Sequence, residues 1–226
     1  MLCNYYWTEP FLTSLLTIES PYYNESSDYH YFIGRRGLTS AKMRITGGSA
    51  RGHIIKTLPG LLVRPTTDKV REAVFSMLAA MSVKWERGLD LFAGSGALGI
   101  EALSRGLGWV DFVDQNNKCC QIIKQNLAKT GFIDRAHVYC CPAMKAMSFL
   151  ETDYDLVFLD PPYADTHLGE LIVGLARSRL VSGDTLVTVS HAARSPLSDK
   201  YDDMSKIKEK RYGDTCIAIY QKEATS

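Results

Sequence analysis

The chain has 226 residues, enough for one α/β domain with a sizeable core and too few for two of average size. With 46% hydrophobic and 23% charged residues, it is neither disordered, collagenous, coiled coil nor a disulfide scaffold. A formal charge of +1, from 26 basic and 25 acidic residues, argues against a protein that coats nucleic acid with its whole surface.

Residues 1–42 read as a poorly ordered or peripheral extension. Nine aromatics between Tyr5 and Phe32 alternate with Ser, Asn, Pro and Asp in no helical or strand period. Because Met43 opens the first well-patterned stretch, one reading is a start-site extension that is no part of the working protein; an aromatic partner-binding arm is the lesser rival. The apolar run Phe11 to Ile18 lacks a preceding basic residue and a following small-x-small pattern, against a secretory signal. No run approaches the roughly 18 apolar residues of a membrane span, so a cytoplasmic protein is expected.

Residues 43–64 form the next unit, a small basic hairpin arm. Two short runs, Arg44 to Thr46 and His53 to Leu58, flank Gly47, Gly48 and Gly52. Between Met43 and Glu72, six basic residues (Arg44, Arg51, Lys56, Arg64, Lys69 and Arg71) face only Asp68 and Glu72, which leaves the remainder slightly acidic. Contact with a polyanion should start here.

The catalytic domain is assigned to residues 65–226. Val70, Val74, Phe75, Leu78 and Met81 recur at helical spacing, with Thr67 or Asp68 as N-cap and an end near Ser82. Beyond Gly88, apolar runs at Leu89 to Phe92, Val110 to Asp114, His137 to Cys141, Asp155 to Asp160 and Thr185 to Ser190 alternate with helix-like stretches. That rhythm specifies a mostly parallel, Rossmann-like doubly wound sheet with helices on both faces. Ile207 to Arg211 and Cys216 to Gln221, joined by Tyr212 to Thr215, add an antiparallel edge hairpin.

Leu89-Asp90-Leu91-Phe92-Ala93-Gly94-Ser95-Gly96 carries the first chemical signal, a buried strand entering a glycine turn ahead of a helix. Gly94 and Gly96 permit close backbone approach, and the helix start offers unpaired N–H groups to a nucleoside cofactor. The spacing alone is shared by nicotinamide, flavin and S-adenosylmethionine enzymes. Asp114, 20 residues after Gly94 at the end of the next apolar strand, is placed to accept from ribose hydroxyls. The plainer reading is a tight turn and an Asp that caps a helix.

Asp160-Pro161-Pro162-Tyr163 ends the fourth parallel run. The prolines remove two donors, leaving the Asp160 carboxylate and carbonyl acceptors for a ligand, while Tyr163 offers a stacking face worth about 1–3 kcal/mol per base. An exocyclic amine fits such a corner, because acceptors can hold its N–H groups and aim its weak lone pair at an electrophilic carbon. A nicotinamide enzyme would more usually place a proton donor there. The plainer reading is a rigid strand-to-loop turn.

Arg44-Ile45-Thr46-Gly47-Gly48, Arg64-Pro65-Thr66-Thr67-Asp68-Lys69-Val70-Arg71-Glu72, Leu91 to Gly99, Glu101-Ala102-Leu103-Ser104-Arg105-Gly106 and Asp160-Pro161-Pro162-Tyr163 together resemble the bacterial RsmD family. These are class I S-adenosylmethionine-dependent methyltransferases that modify the exocyclic N2 of one guanine in 16S ribosomal RNA. The resemblance spans roughly four fifths of the chain, and the Arg-Pro-Thr-Thr-Asp block is its most specific part. It implies the enzyme specific for guanine 966. It also implies a cofactor set in which Gly94, Ser95 and Gly96 line the amino-acid end, Asp114 the ribose, and Ala143 with Met144 the adenine. Thr67 and Arg71 close over it, and Asp90, Phe92, Gln115 and Asp160 complete the set. Asp160, Pro161, Pro162 and Tyr163 become the catalytic corner, and Arg44, Arg51, Arg64, Lys69 and Tyr163 the RNA contacts. Pro142 departs from the family, which commonly carries Asp or Asn there for the adenine amino group; adenine recognition would then rest on backbone groups.

The implied partner is 16S ribosomal RNA, within a small-subunit assembly particle, and the implied working state is a monomer that touches no membrane. Three rivals stay open: an adenine-N6 nucleic-acid methyltransferase, a nicotinamide oxidoreductase, and a non-catalytic RNA-binding module. His53, His137, His167 and His191 are scattered and predict no metal. Cys3, Cys119, Cys120, Cys140, Cys141 and Cys216 show no C-x-x-C spacing and read as reduced core thiols. Lys206, Lys208, Lys210 and Arg211 read as a solvated edge strand, with RNA contact as the lesser alternative.

Overall fold

The computed structural model describes residues 43–58, 67–81, 84–162 and 167–223. The expectations for residues 1–42, for Arg64 and for Tyr163 lie outside the described residues. The arm is a two-stranded antiparallel ladder of β1 (Met43–Arg44) and β2 (Ile54–Ile55). Helix α1 (Asp68–Ala79) follows, capped by Thr67, whose side chain accepts from the Val70 N–H.

The sheet begins with β3 (Arg87–Asp90), and helix α2 (Ala97–Ser104) returns the chain to β4 (Trp109–Asp114). Helix α3 (Asn117–Thr130) leads to β5 (Ala136–Cys140) and α4 (Ala143–Phe149) to β6 (Leu156–Leu159). Helix α5 (Leu168–Arg177) precedes β7 (Leu186–Ala192), after which β8 (Lys200–Tyr201), β9 (Met204–Tyr212) and β10 (Thr215–Lys222) finish the sheet.

The eight strands are ordered β5-β4-β3-β6-β7-β10-β9-β8, with β5 through β7 parallel and the last three antiparallel. This is a class I, Rossmann-like sheet. Every residue of β6 and β7 is buried, as expected for central parallel strands covered on both faces. One core packs the arm, α1, α2 and α3 against one face; a second packs α4 and α5 against the other. Sequence order reverses between β3 and β6, and at such a switch point the connections depart to opposite faces, opening a crevice at the carboxyl ends of the strands.

Three local expectations change. The strand predicted over Leu89 to Phe92 spans Arg87–Asp90; Leu91, past its end, stays buried in the core and still donates to Phe158 O. Cys119, Cys120 and Cys216 are buried thiols, but Cys140 is exposed because β5 is the outermost parallel strand. Lys206 is not a solvated edge residue: its side chain is only 13% exposed, held between Asp199 (3.0 Å) and Glu209 (3.2 Å).

Helix α2 has all eight residues buried, so both of its faces are covered. Gly99 lets it lie close on β4, since a Cβ there would come within 2.3 Å of the Phe112 ring. Replacing Gly99 by Ala should therefore destabilise the fold by about 1–3 kcal/mol, the usual range for overpacking. A lowered thermal midpoint, with cooperativity retained, is the expected result.

Candidate active site

Both glycines of the turn adopt left-handed backbone, Gly94 at φ 55° and Gly96 at φ 79°. Gly96 is the N-cap of α2, and a Cβ on Gly94 would meet no atom within 4 Å. At Gly94 the turn therefore presents bare backbone to open space, whereas Gly96 turns toward Ile100 and Ile123. It is held from four sides: Gly96 N–H donates to Ala93 O (2.6 Å), Ala93 N–H to Val113 O (3.1 Å), Gly94 N–H to Asp114 Oδ2 (2.8 Å), and Asn126 Nδ2 to Ser95 O (2.9 Å).

Asp90, Asp114 and Asp160 stand at the carboxyl ends of β3, β4 and β6. Leu91 N–H still donates to Phe158 O (3.1 Å), so the glycine turn and the Asp160-Pro161 segment leave adjacent strands side by side. Asp160 is half-buried, Pro161 buried and Pro162 exposed, and the charge of Asp160 reaches Asp90. Asp114 accepts from Gly94 N–H through one oxygen and from Asn116 N–H through the other (2.8 Å). Burial raises its pKa, and these two backbone donors oppose the rise.

Asp90 is the most perturbed of the three. Its side chain is buried; Oδ2 accepts from Gly99 N–H (3.1 Å), and Oδ1 has no hydrogen-bond partner among the described residues. Burial pushes its carboxyl up to about 8, the Gly99 donor pulls the other way, and the charges of Asp160 and Asp114 add to the rise. An unsatisfied buried carboxylate oxygen beside an open glycine turn fits a cationic ligand amine, and the α-ammonium of S-adenosylmethionine is one.

The remaining predicted cofactor residues differ in accessibility. Phe92 is half-buried, Gln115 exposed, Ala143 buried and Met144 55% exposed. Pro142 is the N-cap of α4 and contributes no side-chain cap bond. Thr67 is exposed and spends its hydroxyl on the α1 cap. Arg71 is wholly buried: its Nη2 donates to Arg44 O (2.6 Å) and Asp68 Oδ1 (2.8 Å), joining α1 to the arm.

Arg44, Arg51 and Lys69 are exposed on the arm and the start of α1; Arg44 Nε lies 3.9 Å from Asp68. The arm is fastened to α2 by residues to which sequence reading gave no role. The wholly buried Glu101 accepts from Thr46 N–H (2.7 Å), Thr46 Oγ1 (2.7 Å) and Arg105 Nε (2.8 Å). Ser104 Oγ donates to Gly47 O (2.6 Å) and accepts from Ala50 N–H (2.9 Å). Polar side chains within the otherwise apolar stretch Ala97 to Ser104 were the available signal.

The protein-family model described as conserved hypothetical protein 95 matches residues 43–221. YlbH of Bacillus subtilis is 38% identical over 183 residues, covering 80% of this chain and 99% of that protein. Ribosomal RNA small subunit methyltransferase D of Escherichia coli is 35% identical over 187 residues, covering 82% of this chain and 92% of that protein. The solved structure of yhhF from Escherichia coli aligns with a TM-score of 0.70 at 35% identity, over 82% of this chain and all of that one.

An ammonium beside Asp90 favours the carboxylate, so binding below a pH of about 8 must expel a proton. Affinity for S-adenosylhomocysteine should therefore climb as pH rises from about 6.5 to about 8, with proton release seen by calorimetry in buffers of different ionisation enthalpy. Asp90→Asn should lose that pH dependence and roughly tenfold or more in affinity. A carboxyl whose folded pKa is raised withdraws stability as pH climbs from about 4 towards about 8. The same variant should therefore melt higher than the parent at a pH of about 8.

Proposed function

The chain belongs to the RsmD family of S-adenosylmethionine-dependent ribosomal RNA methyltransferases, and on that premise we propose that it methylates the exocyclic N2 of one guanine in 16S ribosomal RNA. The position implied by the resemblance is guanine 966. The observation that carries this reading is the adjacency of the Asp160-Pro161 segment to the glycine turn at the switch point, with the buried Asp90 within reach of the Asp160 charge.

S-adenosylmethionine, when bound, supplies a methyl group on a cationic sulfur, an electrophile that needs no further activation. The chain's task is to bring a weak nucleophile to it in line. Asp160 and the Pro161 carbonyl accept the N–H groups of the extruded amine, favour pyramidal nitrogen and stabilise the positive charge that develops on it. Pro161 and Pro162 carry no N–H, so this rim offers acceptors to a donor-bearing base edge. Tyr163 supplies the stacking face for the flipped base. No strong base is needed, because the amine becomes acidic once alkylated; Asp160 or water then takes the proton.

Arg44, Arg51, Arg64 and Lys69 grip phosphates from the arm. So small a grip suits a prefolded RNA, and the substrate is a small-subunit assembly particle met in the cytoplasm by a monomer. An adenine-N6 specificity is the second reading, since adenine presents the same kind of amine to the same acceptors.

Labelled methyl donor and undermodified small ribosomal subunits should yield N2-methylguanosine on nucleoside analysis. Label in N6-methyladenosine would replace the guanine reading with the adenine one. Asp160→Ala should lower the methylation rate by roughly 100-fold or more, as expected when an electrostatic partner of the transition state is deleted.

A further inference from the structure

Asn126, on the inner face of α3, is wholly buried and fully engaged. Its Oδ1 accepts from Lys56 N–H (2.8 Å), and its Nδ2 donates both to Lys56 O (3.0 Å) and to Ser95 O (2.9 Å). That pattern fixes the amide orientation, because only the nitrogen can serve two carbonyls. One side chain thus ties the strand leaving the basic arm to the central residue of the cofactor turn, across 70 and 31 residues of sequence. No isostere repeats the arrangement: Asp would set an acceptor against two carbonyls, and Leu would remove the partner of three part-buried backbone groups.

The surrounding contacts run in the same direction. Ser95 Oγ reaches Met43 Sδ at 3.6 Å, and Glu101 and Ser104 anchor the opposite end of the arm to the helix that the turn opens. The arm and the turn therefore form one hydrogen-bonded unit through buried groups.

We propose that Asn126 is a positioning residue that couples RNA binding at the arm to cofactor binding at the glycine turn, so that each ligand tightens the other. The inference rests on the reading of the arm as the RNA grip and of the turn as the cofactor seat. A ligand that holds the arm fixes Lys56, and through Asn126 it fixes the Ser95 carbonyl, so the second ligand meets a turn already ordered. By linkage the effect is reciprocal and has one magnitude, of roughly five-fold or more.

The test measures the affinity of S-adenosylhomocysteine, which cannot react, with and without saturating undermodified small ribosomal subunits. The parent should bind it roughly five-fold or more tightly when subunits are present. Asn126→Ala should bind each ligand alone but lose the enhancement. Two substitutions at the exposed Lys56 keep the test independent of the α3 core. Lys56→Ala removes the charge and keeps the N–H: subunit affinity falls and the enhancement stays. Lys56→Pro removes the N–H that Asn126 accepts and leaves that link only the donation from Asn126 Nδ2 to the residue-56 carbonyl, so the enhancement shrinks. Equal enhancement in the parent, Asn126→Ala and Lys56→Pro would overturn the coupling, as would a parent that binds both ligands with no enhancement. A parent that binds neither would instead overturn the functional reading beneath it, and the coupling with it.

Discussion

Much of the molecule is organised around one electrostatic problem: three carboxylates converge at the carboxyl ends of β3, β4 and β6, in a place that water only partly reaches. Left alone they would repel one another and resist ionisation. At Asp90 and Asp114 the chain answers with backbone N–H groups. Gly94 and Asn116 donate to Asp114, and Gly99 donates to Asp90. Those donors are available because Gly94 and Gly96 bend the chain through left-handed geometry and because Gly99 lets α2 settle against β4. The shape of the glycine turn and the ionisation of the site are thus one constraint, seen from the backbone and from the side chains.

The satisfaction is incomplete at Asp90, where one buried oxygen has no hydrogen-bond partner among the described residues. A buried, half-satisfied carboxyl lowers the stability of the ligand-free fold and sharpens the attraction for a cation. The rest of the core has to offset that loss, which gives the unbroken burial of β6, β7 and α2 a functional meaning. The arm contributes as well, because Ile45 and Ile55 join the same core as α1, α2 and α3. It is a basic surface outside and a structural cover inside.

The fold was legible in the sequence because alternation of short apolar runs with helical stretches is a property of every residue in the run, so errors of two positions at strand ends do not alter the topology. The glycine turn was legible because only glycine tolerates its backbone. Asp114 and Asp160 were legible from their place at strand ends. Asn126 and the anchoring roles of Glu101 and Ser104 were not. Their partners are backbone groups 70, 55 and 54 residues away, and no local pattern distinguishes a buried amide from an exposed one. Arg71 illustrates the converse: counted with the basic residues of the arm and expected to close over the cofactor, it has a wholly buried guanidinium bonded to the Arg44 carbonyl.

A cleft rich in carboxylates is ill suited to a polyanion, and the proposed division of labour between arm and cleft resolves the conflict. Phosphates carry charge, whereas the edge of a base offers neutral donors and acceptors, so the two parts of one nucleotide can be sorted to different surfaces. On the proposed reading the cations of the arm hold phosphates at the rim, apart from the carboxylates of the cleft. An extruded base then meets acceptors alone, because Pro161 and Pro162 have removed the donors. On that same reading, the negative character that would repel a backbone selects a base edge that carries an amino group, so the proposed carboxylate roles join as a filter for the substrate and a support for the positive nitrogen that methyl transfer creates.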